Sequence, residues 1–163
     1  MIRHLPLWTL VSLACASAVQ AQPIVRHLNP PPAIILNGVT IPPGAEILML
    51  SGQLADPIDP ARTDSIEAYG DTRTQTISTF RKIEKALADR GYAMSDVVKL
   101  TVFVVGDPAL GGKMDFAGFN AGYRAFFGTS QNPNLVARST VQVAGLAGPH
   151  YLIEIEAIAA KAR

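Results

Sequence analysis

The segment that most restricts the fold of this chain is Val97 to Val105, which is almost entirely β-branched or aromatic. Only Lys99 and Thr101 interrupt it with polar side chains. Such a run favours a β-strand covered on both faces, because branched and aromatic side chains pack well on a buried pleated surface. We therefore expect it to be a central strand of a sheet.

Short apolar runs predict four further strands, at residues 33–41, 46–50, 137–145 and 151–159. The first two are separated by Pro42-Pro43-Gly44, a sequence typical of turns, and this spacing predicts a hairpin. The last two are joined by a turn at Gly148-Pro149. Between the second and third strands, residues 51–70 show no sustained period and predict a loop.

Two amphipathic helices are predicted from apolar side chains that recur every three to four residues. The first spans 72–90 and is followed by Gly91, a residue typical of a helix C-terminal cap. The second spans 113–127 and ends before Gly128. Its apolar positions are aromatic, and we interpret this stripe as core rather than as a cofactor-binding surface.

The predicted order is β-β-α-β-α-β-β, which indicates an α+β fold. Strands and helices alternate too irregularly for a doubly wound parallel sheet, so we expect a mixed sheet with both helices packed on one face. The opposite face is rich in Val, Leu and Ile and would be exposed in a monomer. An apolar face of that size predicts burial against other subunits.

The N-terminus has the pattern of a secretory signal. Arg3 precedes an apolar run from Leu7 to Val19, and Val19-Gln20-Ala21 resembles a signal-peptidase site. The run is shorter than the roughly 20 residues of a membrane-spanning helix. We therefore expect cleavage after Ala21 and a periplasmic protein, the alternatives being an uncleaved membrane anchor or a lipid on Cys15.

After the signal, residues 22–32 contain four prolines, at 23, 30, 31 and 32. Proline opposes both helix and central strand, so this stretch predicts an extended arm. The whole chain has 163 residues, which leaves one compact domain at 33–163.

Charge and cysteine content exclude several functions. The chain has 14 Lys and Arg against 13 Asp and Glu, and loss of Arg3 with the signal makes the mature chain formally neutral. Nucleic acid is therefore not an expected partner. Cys15, the only cysteine, lies in the signal, and His27 and His150 have no metal-binding spacing, so we expect no thiol chemistry and no metal centre.

Arg138 is the leading candidate for ligand binding. Strand alternation places it on one face with Thr140 and Gln142. Its guanidinium presents a planar set of donors that can hold a carboxylate through two parallel hydrogen bonds. The alternative is an ordinary ion pair at a surface or subunit interface.

The last predicted strand offers a candidate proton acceptor. Glu154 and Glu156 lie among apolar residues on one face, and a carboxylate in such surroundings can accept a proton or position a water molecule. Pairing with Arg or Lys across an interface is the competing interpretation.

Two further features are candidate pocket elements. Asn120 lies within the aromatic helix, where its amide can face a cleft or solvent. Ser51-Gly52-Gln53 ends the second strand, where Gly52 permits close approach to the backbone, although a plain turn explains the tripeptide equally well.

Taken in order, five segments resemble the RidA/YjgF family of reactive-intermediate deaminases over about residues 33–160. They are Ser51-Gly52-Gln53, the strand from Asp96 to Phe103, the helix from Asn120 to Phe127, the segment from Ala137 to Val141, and the strand from Glu154 to Ala159. The chain departs from the family pattern at three places: at Leu36-Asn37-Gly38 a tyrosine is usual, at Val136 a proline is usual, and at Thr140 a cysteine is common.

The resemblance implies a chorismate-mutase-like fold, a homotrimer and three ligand sites between subunits. It also implies hydrolysis of reactive 2-imino or 2-enamino acids to 2-keto acids and ammonia, without metal or organic cofactor. Arg138 would clamp the carboxylate of this substrate or of another 2-carbonyl acid, and Glu154 would activate water. Gly52 and Thr140 would line the pocket through backbone groups, with Ser51 and Asn120 beside them.

The sequence leaves three hypotheses for the function of the chain. The first is an imine or enamine deaminase. The second is a non-catalytic module that binds or senses a small acid in the same cleft. The third, RNA cleavage, is attached to some relatives, and the neutral mature charge argues against it.

Overall fold

The structure is a computed structural model that describes residues 22–163. The predicted signal, residues 1–21, lies outside the described residues. The described chain forms the strands β1 (Val25–Leu28), β2 (Leu36–Thr40), β3 (Glu46–Leu54), β4 (Val97–Val105), β5 (Ala137–Val143) and β6 (Ile153–Lys161), and the helices α1 (Thr72–Ala88) and α2 (Phe116–Tyr123).

The main sheet has the strand order β3-β6-β4-β5. β6 is antiparallel to both β3 and β4, whereas β4 and β5 are parallel, so the sheet is mixed as predicted. β4 has a neighbour on each side, which confirms its central position. In the protomer only one face of β4 is fully covered: Leu100, Val102 and Val104 are buried, while Lys99, Thr101 and Phe103 are partly exposed.

Both helices pack on the same face of this sheet, which confirms the predicted α+β class. Large buried side chains pack against the sheet, namely Phe80, Ile83 and Leu87 of α1, Phe119 and Tyr123 of α2, and Phe127 of the turn that follows α2. The aromatic stripe is therefore core except for Phe116, which is 44% exposed. Within residues 22–163 no helix has both the length and the apolar character needed to cross a membrane.

α2 ends four residues earlier than the pattern predicts, at Tyr123, and it begins three residues later. The Asp115 carboxylate accepts a hydrogen bond from the Gly118 backbone N–H at 2.8 Å and caps the helix there. The preceding loop is held away from helical geometry, because the Gln142 side chain accepts from the Met114 N–H and donates to the Gly112 carbonyl. Gly91 follows α1 with φ of 75°, the left-handed conformation expected of a C-terminal cap residue.

The predicted hairpin between the first two strands is wrong. β2 pairs with β1, a strand within the proline-containing arm, in a separate two-stranded sheet. The prolines flank β1 rather than interrupt it, so its backbone groups remain free to pair. The Pro42-Pro43-Gly44 segment instead carries the chain from the small sheet to β3 in the main sheet.

Arg26 attaches β1 to the rest of the domain. Its guanidinium donates hydrogen bonds to the carbonyl oxygens of Val97 at 2.9 Å, Leu135 at 2.8 Å and Ser95 at 2.8 Å. Burial lowers the pKa of Arg26, and Asp96 partly offsets this effect. One half-buried side chain thus satisfies three backbone acceptors from two separate segments.

We predict that Arg26→Ala lowers the free energy of unfolding by about 3 kcal/mol, because the three carbonyl oxygens lose charge-assisted hydrogen bonds. Urea denaturation of the mature protein measures this change, with Leu28→Ala as the control, since Leu28 of β1 is 73% exposed. An Arg26→Ala protein as stable as the Leu28→Ala protein would show that the anchor contributes nothing.

Candidate anion-binding site

Arg138 lies near the start of the edge strand β5, opposite Leu100 of β4. The register places Arg138, Thr140 and Gln142 on the side of the sheet that the helices cover. This alternation agrees with the sequence prediction. The guanidinium consequently projects beneath α2 and is half-buried.

Two aromatic rings of α2 hold the guanidinium. Its Cζ atom lies 4.7 Å from the ring centroids of both Phe119 and Tyr123, which occupy successive turns of the helix. Cation–π attraction of this kind grows when the cation is removed from water. The Tyr123 hydroxyl donates to the Ile34 carbonyl at 3.0 Å, so this ring is itself fixed.

Asn120 fixes one end of the guanidinium. Its Oδ1 atom accepts a hydrogen bond from Arg138 Nη2 at 2.9 Å. The predicted pocket residue Asn120 therefore contacts the predicted clamp, rather than facing solvent.

The other end of the guanidinium has no partner among residues 22–163. Arg138 Nη1 is buried without a hydrogen bond, and no carboxylate of residues 22–163 forms an ion pair with Arg138. Burial lowers the pKa of Arg138, while the Tyr123 phenol raises it and Arg124 lowers it further. A buried cation of this kind is stabilised by an anion.

Thr140 shows the same deficit. Its Oγ1 atom is buried and has no hydrogen-bond partner in the described chain. Thr140 is two residues from Arg138 on the same face of β5. Two unsatisfied polar side chains therefore lie two positions apart on the same face of β5.

A second cluster contains Glu154 and Gly52, and Ser51 directly precedes Gly52 on β3. Glu154 lies on β6 opposite Phe103 of β4 and Leu54 of β3. The β3–β6 register shifts between Leu50 and Gln53, and this irregularity brings the Gly52 backbone against the Glu154 side chain. A Cβ atom on Gly52 would lie 1.8 Å from Glu154 Oε1, so glycine is required for this contact.

The two clusters lie on opposite faces of the sheet. Glu154 shares a face with Phe103, whereas Arg138 shares a face with the buried Leu100. Leu100 and Phe103 are three positions apart on β4, which corresponds to about 10 Å along the strand. A small ligand that contacts Arg138 therefore cannot also contact Glu154 of the same protomer.

Glu156 belongs to the uncovered side of the sheet, which we call the open face, the side that carries Phe103 and Glu154. There it lines a cavity of about 300 Å³ with Ser51, Lys99 and Thr101. A larger groove of about 630 Å³ runs along α1, but it contains none of the predicted site residues. In that groove Lys82 already forms an ion pair with Asp56 at 2.8 Å. Arg138 has no such carboxylate partner within residues 22–163, and it is therefore the candidate anion-binding residue.

The sequence does not predict the aromatic partners of Arg138 as site residues. It predicts Phe119 and Tyr123 as core residues, and both are buried. The sequence feature that could have indicated their role is the four-residue spacing of Phe119 and Tyr123. With Asn120 between them, it places two rings and an amide close together on one helix. The sequence does not indicate that an arginine from another strand reaches them.

Comparison with known proteins supports the fold and the family. A family model described as Endoribonuclease L-PSP matches residues 40–161. A RutC family protein of Haemophilus influenzae is 35% identical over 137 residues, which cover 84% of this chain and 96% of the relative. The chain belongs to the RidA/YjgF family.

Solved structures of RidA/YjgF members have the same fold. The Rid family protein YyfB of Yersinia pestis matches with a TM-score of 0.63 and 28% identity over 82% of this chain and 96% of YyfB. TdcF of Escherichia coli, crystallised with bound serine, matches with a TM-score of 0.56 and 28% identity over 74% of this chain and 84% of TdcF.

We predict that Gly52→Ala costs roughly 1 kcal/mol of stability, because the new methyl group displaces the flexible Glu154 side chain from the bulge. The cost should vanish in a Glu154→Ala background, and a double-mutant cycle in urea measures the coupling. Gly145→Ala is the control, since its Cβ would meet no atom within 4 Å. Equal costs with and without Glu154 would exclude the contact.

Proposed function

We propose that this protein hydrolyses reactive 2-imino or 2-enamino acids to 2-keto acids and ammonia, with Arg138 holding the substrate carboxylate. The observation that carries the proposal is a buried guanidinium without a carboxylate partner in residues 22–163. Arg–carboxylate pairs form strong, directional hydrogen bonds, and removal from water strengthens them.

The surroundings of Arg138 favour anion capture over a purely structural role. Asn120 and the rings of Phe119 and Tyr123 restrict the guanidinium before any ligand arrives. A pre-oriented clamp loses little side-chain entropy on binding. Within residues 22–163, Nη1 is buried without a hydrogen-bond partner, so it can bind the ligand once the side chain that covers it moves.

We propose that two protomers complete each site. Arg138, Asn120 and Thr140 would come from one protomer, and Ser51, Gly52 and Glu154 from its neighbour, because one protomer cannot bring both clusters to a small ligand. Several large apolar side chains of the main sheet are exposed in the protomer, including Met49 at 72%, Ile47 at 47% and Val141 at 45%. Their burial would stabilise association.

The family resemblance suggests a homotrimer as the specific assembly. A closed ring of three protomers would contain three equivalent clefts, each built from two different surfaces. Gly52 and Thr140 would also line each cleft through backbone groups.

The proposed reaction needs only protein side chains and water. With the carboxylate fixed by Arg138, the C2=N carbon is held next to a water molecule that Glu154 orients. An enamine first tautomerises to the imine, and the imine reacts as its protonated iminium form. Glu154 accepts a proton as the water oxygen bonds to C2, which gives a neutral carbinolamine with an amine nitrogen. Glu154 then returns this proton to the amine nitrogen. The C2–N bond breaks to release ammonia, and the hydroxyl group loses its proton to water as it becomes the carbonyl of the 2-keto acid.

A second candidate is a non-catalytic module that binds or senses a small carboxylate in the same cleft. The serine-bound TdcF structure supports it, because serine is a stable amino acid rather than a reactive imine. The name of the matching family model refers to an endoribonuclease. The mature chain lacks the net positive charge that RNA binding favours.

The decisive experiment generates an imino acid in place with an amino-acid oxidase and follows its disappearance with and without the mature protein. We expect acceleration by the wild type and a loss of about 100-fold in kcat/KM for Arg138→Ala, since a buried charge pair is removed. Arg81→Ala, which removes an exposed arginine of α1, is the matched control and should remain active.

Glu154→Gln separates binding from chemistry. It should lower turnover while leaving the affinity for a 2-keto acid nearly unchanged. If the wild type binds 2-keto acids but accelerates nothing, the binding module is the function. RNA retention at low salt that Arg138→Ala does not weaken would favour the third hypothesis over both.

We also propose that the protein is exported and acts in the periplasm after cleavage behind Ala21. The first described strand starts at Val25, so the cleaved chain retains the Arg26 anchor. The intact mass of protein recovered from a periplasmic fraction should correspond to a chain that begins at Gln22. Recovery of the uncleaved chain in membranes, or a lipid on Cys15, would contradict this proposal.

A further inference from the structure

Two unpartnered buried polar atoms belong to the candidate site. In residues 22–163 four buried side-chain nitrogen or oxygen atoms lack a hydrogen-bond partner: Thr72 Oγ1, Thr79 Oγ1, Arg138 Nη1 and Thr140 Oγ1. The last two lie two residues apart on one face of β5, with Cα atoms about 7 Å apart. Buried polar groups nearly always have partners, so this pair requires an explanation.

We propose that the Thr140 hydroxyl binds the polar substituent on C2 of the ligand whose carboxylate Arg138 holds. The site then selects 2-oxo, 2-imino and 2-amino carboxylates over plain carboxylates. This inference rests on the proposed carboxylate clamp and adds a side-chain role to Thr140, beyond its backbone.

The chemistry of the two groups supports this division of roles. Arg138 carries a permanent charge and requires an anion, whereas Thr140 is neutral and can both donate and accept. A keto oxygen or imine nitrogen on C2 lies one carbon from the carboxylate, at a distance that a neighbouring side chain can span. The strand partner of Thr140 is the buried Val102, which offers no polar side-chain atom.

Both atoms are covered in the isolated protomer, so the ligand must displace a side chain to reach them. The ring of Phe116 is suited to this movement. Its centroid lies 5.8 Å from Arg138 Cζ, and it is 44% exposed, whereas Phe119 and Tyr123 are fully buried. Movement of Phe116 leaves the two rings that hold Arg138 in place.

The selectivity follows from the cost of an unsatisfied group. A site with a buried hydroxyl rejects a ligand that cannot pair with it, because the hydroxyl stays unpartnered in that complex. The same reasoning makes Thr140→Val, which keeps the branched shape and removes the hydroxyl, harmless to the unliganded fold. If the Thr140 hydroxyl instead formed a hydrogen bond within the protein, Thr140→Val would destabilise the unliganded fold.

The test measures binding of 2-oxobutanoate and butanoate to the mature protein by calorimetry. We expect the wild type to prefer 2-oxobutanoate by about tenfold or more. Thr140→Val should lose this preference with no fall in the unfolding midpoint, and Thr140→Ser should keep it.

Two results would overturn the assignment of Thr140. One is an unchanged preference in Thr140→Val. The other is a lower unfolding midpoint or a dissociated oligomer in that variant, which would place the hydroxyl in a protein contact. Arg138→Ala tests the clamp separately, since it should weaken both ligands, and unchanged binding of both would refute the clamp itself.

Discussion

The packing of Tyr123 is the interaction on which both the core and the candidate site depend. Its ring stacks on Phe127 with centroids 5.0 Å apart and lies 6.4 Å from the ring of Phe80, so it ties α2 to α1. The same ring lies 4.7 Å from the Arg138 guanidinium, and its hydroxyl reaches the Ile34 carbonyl before β2. Because one side chain joins these four segments, the orientation of Arg138 is coupled to the integrity of the core.

The site combines this rigid support with polar atoms that lack hydrogen-bond partners within residues 22–163. Arginine stays charged even where burial lowers its pKa, so an unpaired guanidinium in the core costs free energy that the surrounding fold must offset. Deviations of this kind are expected where a protein binds something. The sheet also separates Arg138 from Glu154, so any chemistry that uses both residues depends on assembly and therefore on protein concentration.

Periodicity in the sequence predicted most of the elements correctly. The β-branched run of β4 identified the central strand, and the spacing of Phe80, Ile83 and Leu87 identified the buried face of α1. Strand pairing was harder to predict from the sequence than the strands themselves. The hydrophobic pattern specifies which face of a strand is buried, but it does not specify which strand lies alongside. β2 therefore pairs with β1 and not, as the sequence had suggested, with β3. α2 begins later than its aromatic pattern because Asp115 caps it and Gln142 restrains the preceding loop, and residues 124–127 form turns instead of continuing the helix.

The sequence by itself determined the fold class, the family resemblance and the sharing of one strand face by Arg138 and Thr140, since these depend on local period and residue type. Only the tertiary structure decided that Asn120, Phe119 and Tyr123 meet Arg138 and that Glu154 lies on the opposite side of the sheet. It alone also decided that Arg138 Nη1 and the Thr140 hydroxyl have no hydrogen-bond partner within residues 22–163. The physical reason is that these facts depend on strand register and helix placement, which bring together residues far apart in the chain.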